Sequence, residues 1–381
     1  MQPLTIVHTE SHRQWGGQEI RIFNECAWMH GRGHRVVVIA PRASCLYRRA
    51  REQGWRTHAV AFRDLGLPLD MLRLRGLLKK IRPHVFNTHG NIDSKAGLAA
   101  AWGLGIPCVI RSRHHSPPVR PSWYNRLLYR RLCDVVFTTG DVITRQLVAD
   151  LDAGRRRVIT ITSGIAVPGT LPDPEDARRR LAAELGLAEG ARFIGCVSLL
   201  DPGKGQDVLI DAFARLAAVF TRHHLVFVGD GDYGRELRRQ VPASIAGRVH
   251  FPGFREDPWP CFRALDCHVL ASTRYEGTPQ VILQAMFAGC PVVATRTGAI
   301  PGIVRHGVTG LLAAPGDAAS LAAAIRNTLA EPREAARRAR EALRYVRTHH
   351  TLDAMGEKTL SVYRKVLAAK KGRDVFAQSS R

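Results

Sequence analysis

Apolar residues along this chain gather in short continuous runs, and between those runs they recur at every third or fourth position. Continuous runs suit strands buried on both faces, whereas the wider spacing suits amphipathic helices. Leu4 to His8, Arg35 to Ala40 (RVVVIA), Val85 to Thr88, Cys108 to Arg111, Val135 to Thr139 and Val158 to Thr162 are predicted strands. Helices are predicted from about Ile20 to Arg32, where Gly31 and Gly33 end the pattern, over residues 69–82, and from Asp93 to Leu104. In the second of these helices Leu74, Leu77, Leu78 and Ile81 share one face. Alternation of this kind predicts an α/β fold with a doubly wound, parallel sheet.

The pattern then starts again. Phe193 to Leu200 (FIGCVSLL), Leu225 to Gly229, Val249 to Phe251, Leu265 to Ala271 (LDCHVLA) and Val292 to Thr295 are strands of a second set, and VTGLLAAPGD follows from Val308. Its helices include Pro279 to Ala288 and Ser320 to Leu329, then a run from Pro332 and another from Met355 to Ala369. Between the sets lies TLPDPEDARRR, a proline- and acid-rich linker that caps a new helix. The expected organisation is therefore a Rossmann-like domain over 1–169, a second over 170–345, a C-terminal helix over 346–369 and a polar tail over 370–381.

Length supports this division, since 381 residues exceed one ordinary core. The longest uncharged apolar run, Ala96 to Ile110, is interrupted by Gly97, Gly103, Gly105 and Pro107 and falls short of the roughly 20 residues a bilayer helix needs. The first residues, MQPLTIVHTESH, lack a basic start and read as a strand rather than a signal peptide. Eight scattered cysteines form no C-x-x-C pair, a usage expected in a reducing cytoplasm.

Charge changes the picture more. Lysines and arginines number 56 against 33 acids, a net charge of +23, so an anionic partner is expected: nucleic acid, anionic lipid or a phosphorylated glycan. An arginine-rich codon bias is the plainer explanation. The basic residues cluster in the first half, at Arg48, Arg49, Arg51 and Arg56, and again from Arg73 to Arg82. A third group, Arg120, Arg126, Arg130 and Arg131, interleaves with Trp123, Tyr124, Leu127, Leu128 and Tyr129. Such a helix fits a membrane interface. Core packing of the same aromatics is the alternative.

Candidate chemistry concentrates around Glu276, in the polar loop between a buried strand and the helix opened by Pro279. Open α/β sheets bind ligands at the carboxyl ends of their strands. A helix N-terminus there, preceded by Gly277 and Thr278, suits a phosphate. Glu276 can accept hydroxyl protons from what the phosphate carries, and Gln284 offers an amide two turns further on. Lys204, between Gly203 and Gly205 before another helix, can bring an ammonium to the same phosphate. Gly16 and Gly17 in the first loop permit a close backbone approach, and His114, beside His115, ends a strand before Pro117 and Pro118. Each of these residues taken alone is more often a solvated or turn-forming one; together they are a site. GDGDYG, with Gly229, Gly231 and Gly234, spells G-x-G-x-x-G and leaves a nicotinamide-dependent oxidoreductase open.

The stretch STRYEGTPQVILQAMFAGCPVVAT resembles the E-x7-E region of retaining glycosyltransferases of the GT-B fold, family 4. The likeness extends to DPGKG, which resembles the end of G-R-L-x-x-x-K-G, to SGIAVPG, which resembles N-G-[IV]-D, and to TGAIP, which resembles G-G-[IV]-P. It implies two Rossmann-like domains facing a cleft, with a C-terminal helical segment crossing back to the first. It implies that Glu276 contacts the donor sugar, Gln284 the ribose and Lys204 the diphosphate, with Gly16, Gly17, Gly203, Gly205, Gly229, Gly277, Thr278, Pro279 and Gly298 lining the donor. His114 would serve the transferred sugar or the acceptor. Two positions depart from the pattern: Gln284 replaces the second acid, and Leu199 stands where an arginine is usual, with Arg274 and Arg255 as candidate substitutes.

The expected activity is metal-independent, retaining transfer of a sugar from a UDP- or GDP-linked donor to a lipid-linked envelope glycan such as lipopolysaccharide core, with no cofactor. The partners are then a nucleotide sugar and an anionic glycan or glycolipid, with no nucleic acid. A bacterial, cytoplasmic protein at the inner face of the cytoplasmic membrane is expected. A GT-B sugar-nucleotide epimerase and a basic nucleic-acid-binding protein stay open beside the oxidoreductase.

Overall fold

The computed structural model describes residues 2–63, 66–114, 117–274 and 276–378, with side chains to Lys370. Two compact units divide the chain: Met1–Gly164 with Thr351–Arg381, and Ile165–His350.

Unit 1 opens with β1 (Thr5–Thr9), α1 (Gly17–Gly31), β2 (Arg35–Ala40), α2 (Cys45–Glu52), β3 (Arg56–Ala59) and α3 (Leu67–Ile81). It continues through β4 (Val85–Thr88), α4 (Asn91–Ala101), β5 (Cys108–Arg113), α5 (Trp123–Arg130), β6 (Val135–Thr138), α6 (Asp141–Leu151) and β7 (Val158–Thr160). All its strand pairs are parallel, in the order β3-β2-β1-β4-β5-β6-β7. Chain order reverses between β1 and β4, which places the loops after these two strands at the switch point.

Unit 2 repeats the plan with α7 (Pro174–Glu184), β8 (Arg192–Val197), α8 (Gln206–Leu216), β9 (His223–Val228), α9 (Gly234–Arg239), β10 (Val249–Gly253) and α10 (Trp259–Ala264). Then come β11 (Cys267–Leu270), α11 (Gln280–Phe287), β12 (Val292–Thr295), β13 (Leu311–Ala313), α12 (Ala318–Ala330) and α13 (Pro332–His349). The parallel order is β10-β9-β8-β11-β12-β13, with its switch point between β8 and β11. Val269 and Leu270 of β11 and Val293 and Ala294 of β12 are fully buried. That is why their sequences are apolar without alternation.

The last helix, α14 (Leu352–Gln378), belongs to unit 1. Trp28 Nε1 donates to Asp353 Oδ1 at 2.8 Å, and the Tyr363 hydroxyl donates to Glu25 Oε1 at 2.8 Å in a buried network with Arg21. Near the other end of the described side chains, Lys370 Nζ pairs with Asp134 Oδ2 at 2.8 Å. The helix crosses α1 where Gly356 lies against the Trp28 indole; a methyl group there would overlap the ring.

Four expectations need correction. The first unit ends at Gly164, so residues 165–169 belong to the second, because Gly164 packs on the Thr351 backbone too closely for any side chain. Residues 346–349 finish α13, and the supposed tail from 370 continues α14 to Gln378. Pro279 is the N-cap of α11, with φ −69° and ψ 112°, one residue before the helix it was expected to open. The place of GDGDYG agrees with the sequence pattern: it follows β9, the second strand of unit 2, and leads into the six-residue α9, not the first turn that a dinucleotide-binding reading needs.

Two glycines in helix interiors should respond in opposite senses. Gly356→Ala is expected to destabilise by about 1–3 kcal/mol through overpacking against Trp28. Gly76→Ala, in α3 with open space around it, should stabilise by about 0.5–1 kcal/mol. Urea denaturation of both variants checks the pair.

Candidate functional site

The loops at the carboxyl edge of unit 2's sheet hold one another through backbone contacts. Asp201 Oδ1 accepts from Gly203 N at 2.8 Å and shapes the 3-10 turn Pro202–Lys204. Gly205 then takes φ +67° and starts α8; a side chain there would overlap the Ala271 carbonyl. Thr273 N donates back to the Gly203 carbonyl at 3.0 Å. Gly298, at φ +54°, lies on the Glu276 backbone, and Ala299 N donates to the Glu276 carbonyl at 3.0 Å. Gly229 and Gly231 approach the Ser198 and Leu200 carbonyls equally closely. Left-handed or otherwise restricted backbone and absent Cβ atoms explain these glycines.

On this layer Lys204 Nζ meets Glu276 Oε1 at 2.6 Å, and Ser272 Oγ donates to the same oxygen at 2.6 Å. The Lys204 side chain is 26% exposed and that of Glu276 11%, so the pair is partly desolvated but still open on the lysine side. Thr295 Oγ1 donates to the Ser272 carbonyl at 2.5 Å and fixes the residue that holds the carboxylate. Gln206 Nε2 bridges Ser198 Oγ and the Leu199 carbonyl. An ammonium and a carboxylate so placed, beside the α11 N-terminus, can receive a phosphate and a hydroxylated group together.

The structure separates the candidate substitutes for the missing arginine. Leu199 is 53% exposed and supplies no charge. Arg255 is ion-paired to Glu184. The exposed Arg274 lies against Gly203, its Cδ 3.1 Å from where a Cβ would stand, so its stem borders the Lys204 turn. Gly277 and Thr278 are half-buried in the loop between Glu276 and α11, and Gln284 is half-buried on α11 itself.

Gly16 and Gly17, expected to line the donor, and His114, expected at the transferred sugar or the acceptor, belong to unit 1, whereas Lys204 and Glu276 belong to unit 2. Gly16 is the N-cap of α1, and its N–H donates to Glu19 Oε2 at 2.9 Å. His114, at the end of β5, is nearly buried, and its Nε2 is 2.9 Å from His89 Nδ1. His89 Nε2 is in turn 2.9 Å from His8 Nδ1. Three imidazoles from the ends of β5, β4 and β1 thus form one hydrogen-bonded file. Burial holds His8 below its usual range; burial, the neighbouring His114 and His8, and the Arg21 and Arg111 cations push His89 well below it. With both rings neutral, His89 donates through one nitrogen and accepts through the other, so its tautomer sets the roles of His8 Nδ1 and His114 Nε2. His115 lies outside the described residues.

The basic helix α5 sorts its residues by face. Leu128 and Tyr129 are buried, while Trp123 is 77% exposed and Leu127, Arg120, Arg126, Arg130 and Arg131 are exposed as well. Core packing therefore claims only part of the aromatic set. Ser272, Gln206, His8 and His89 were not picked out from sequence; the available signal was the place of Ser272, His8 and His89 at the carboxyl ends of strands beside the switch points and of Gln206 at the start of α8.

Two Rossmann-like parallel units, each with its own switch point, have the architecture of the GT-B fold, and glycosyltransferases of known structure superpose on the chain. The family Glycosyltransferase Family 4 matches residues 15–167, and Glycosyl transferases group 1 matches residues 191–331. Similar curated proteins include a GDP-mannose-dependent alpha-(1-6)-phosphatidylinositol monomannoside mannosyltransferase of Mycolicibacterium smegmatis, 34% identical over 45% of this chain and 47% of that protein. Another is the lipopolysaccharide core biosynthesis glycosyltransferase LpsE of Rhizobium meliloti, 32% identical over 54% of this chain and 57% of that one. The matches thus span about half the length of these relatives. A glycosyltransferase from Rickettsia africae superposes with TM-score 0.85 at 17% identity, covering 96% of this chain and 99% of that one. Anabaena Alr3699/HepE in complex with UDP-glucose gives 0.78 at 22% identity, covering 95% and 100%. The chain belongs to the group 1, family 4 glycosyltransferases.

Removing one partner of the Lys204–Glu276 pair leaves the other charge partly buried. Lys204→Met or Glu276→Gln alone is expected to cost about 1–3 kcal/mol, between the values for exposed and buried pairs. The double variant should cost less than the sum, with a coupling of about 1 kcal/mol read from a double-mutant cycle in urea.

Proposed function

We propose that this protein is a retaining glycosyltransferase that moves a sugar from a UDP- or GDP-linked donor to a lipid-linked envelope glycan such as lipopolysaccharide core. The observation that carries the reading is the Lys204–Glu276 pair on its glycine-packed loops beside the α11 N-terminus. The relatives support the substrate class, since one is named for GDP-mannose and a phosphatidylinositol mannoside and another for lipopolysaccharide core synthesis.

On this reading the donor diphosphate displaces Glu276 from Lys204. The ammonium, the first free N–H groups of α11 and Arg274 then face the phosphates, while Glu276 turns to the sugar hydroxyls. As the bond from the anomeric carbon to the phosphate oxygen breaks, negative charge collects on the leaving diphosphate, where those fixed positive groups already point. The acceptor hydroxyl forms the new bond on the same face of the sugar, and its proton passes to the departing phosphate oxygen on that face. Gln284 offers the ribose a neutral amide. The proposed donor chemistry uses no metal and no further cofactor. The acceptor falls to unit 1, with His114 as a hydrogen-bonding group.

Lys204→Ala and Glu276→Ala are expected to lower transfer at least ~100-fold, in line with loss of one preorganised electrostatic group. A panel of UDP- and GDP-sugars with radiolabelled transfer, alongside NAD in a thermal-shift series, checks this. Wild-type turnover by either variant, or stabilisation by NAD alone, removes the assignment.

The exposed face of α5 supports docking of unit 1 at the inner surface of the cytoplasmic membrane, with Trp123 and Leu127 at the headgroup level and the arginines on anionic lipid. No helix among the described residues is long and apolar enough to cross a membrane. Flotation with phosphatidylglycerol vesicles is expected to carry the wild type, and Trp123→Ala with Arg126→Glu should reduce the bound fraction several-fold. Equal binding to neutral phosphatidylcholine vesicles would argue against docking by charge.

A further inference from the structure

His8, His89 and His114 climb the sheet of unit 1 toward its carboxyl edge. His8 in β1 lies opposite Asn87 of β4, and Asn87 lies opposite Ile110 of β5. His89 stands two residues beyond Asn87 and His114 four beyond Ile110, so each step to the next strand also moves two residues outward on one face. The ring centroids are 5.2 Å apart from His8 to His89 and 5.1 Å from His89 to His114, close to the spacing of about 4.8 Å between strands. All three rings are buried. The outer ring, His114, ends at the edge where parallel sheets bind ligands. The inner ring, His8, shares its face with Ile6, which packs with Ile22 and Cys26 of α1.

Both contacts join Nδ1 of one ring to Nε2 of the next, His8 to His89 and His89 to His114, each at 2.9 Å. In a neutral file the protons therefore lie on all three Nδ1 atoms or on all three Nε2 atoms. The inner end decides between the two. His8 Nε2 is buried and has no hydrogen-bond partner among the described residues. Glu25, the acid whose charge is felt at His8, gives Oε1 to the Tyr363 hydroxyl and faces Arg21 Nη1 with Oε2 at 3.6 Å. A proton on His8 Nε2 would be a buried N–H without an acceptor, the rarer kind of orphan, and the Arg21 cation beside it favours a lone pair there.

We propose that His8 and His89 are positioning residues for His114: His8 Nδ1–H donates to His89 Nε2, His89 Nδ1–H donates to His114 Nε2, and His114 is thereby fixed with its proton on Nδ1. A ligand oxygen then meets His114 as a hydrogen-bond donor. Each bond in such a chain polarises the next, so the order set under α1 is carried to the edge of the sheet. The acceptor role rests on the reading of His114 given above, whereas the order of the protons does not.

Ring-nitrogen NMR of the full chain labelled in its histidines is expected to show His8, His89 and His114 protonated on Nδ1 at neutral pH, the reverse of the tautomer that an exposed neutral histidine prefers. His8→Asn, His89→Asn and His114→Asn assign the signals. Two substitutions of like shape then separate hydrogen bonding from packing. In His89→Asn an amide N–H replaces the ring N–H, and His114 should keep its proton on Nδ1; in His89→Leu the donor is lost, and His114 should lose its fixed tautomer. With lipopolysaccharide core as the acceptor and the sugar nucleotide that gives transfer, His89→Leu should lower kcat/KM for the acceptor about 3–10-fold, the weight of one hydrogen bond, with the donor KM unchanged. His89→Asn should stay near wild type. A His114 proton on Nε2 in the wild type, or equal losses in the two His89 variants, overturns the proposal. If the wild type transfers no sugar, the transferase reading fails, and the spectra by themselves uphold or overturn the tautomer order.

Discussion

Gly205 and Gly298 set the constraint on which unit 2 depends: their backbones rest on the backbones of Ala271 and Glu276 with no room for a Cβ. The loops after β8, β11 and β12 are thereby locked into one layer, and Gly229 and Gly231 add the loop after β9 through Ser198 and Leu200. Lys204 and Glu276, 72 residues apart in sequence, meet at 2.6 Å because the chain beneath each cannot withdraw from the other. Glycine loses the most conformational entropy on folding, so a layer built this way is costly and is stable only where the β-strands below are well buried. Val197, Val228, Leu270 and Thr295, at or beside the strand ends, all are.

The same dependence explains what could be read without coordinates. β2, β4 and β12 are buried along nearly their whole length and carry continuous apolar runs, so their bounds are visible as Arg35–Ala40, Val85–Thr88 and Val292–Thr295. By contrast α2 buries only Leu46, Tyr47 and Ala50 among arginines, and β3 (RTHA) is an edge strand with no buried residue, so neither shows a period. The end of unit 1 is hidden because a packing contact between Gly164 and Thr351 decides it, and the proline-rich linker a few residues later has the stronger composition. In α14 the polar residues past 370 are mostly good helix formers, and polarity alone was a poor guide to where the helix stops.

Within the site, motif residues were legible and supporting residues were not. Lys204 and Glu276 sit in recognisable glycine-rich spellings. Ser272 looks like the end of a strand, and its hydrogen bond to Glu276 arises from a loop that doubles back. The file His8–His89–His114 joins residues from β1, β4 and β5, neighbours only through the strand order. Likewise Glu10 and Asp93, 83 positions apart, converge with Ser11 on Gly90 across the switch point, a meeting that no motif marks.

The two departures from the family pattern weigh differently once the loops are placed. Position 199, in the loop after β8, is exposed and carries a leucine in place of the usual arginine. Arg274 comes to the Gly203 turn from the loop after β11, and on the proposed reading it is the second cation, met by the diphosphate from another side of the same layer. Gln284 has no such replacement among the acids of α11, which reads QVILQAMF. A ribose held by a neutral amide gains a hydrogen bond of about 0.5–1.5 kcal/mol where a carboxylate gives about 1.5–3. In the proposed mechanism that difference lowers affinity for the nucleotide and leaves unaltered Lys204, Arg274 and the α11 N-terminus, the groups assigned there to the charge developing on the leaving phosphate. On the proposed reading the substitution therefore weakens donor binding more than it slows the chemical step.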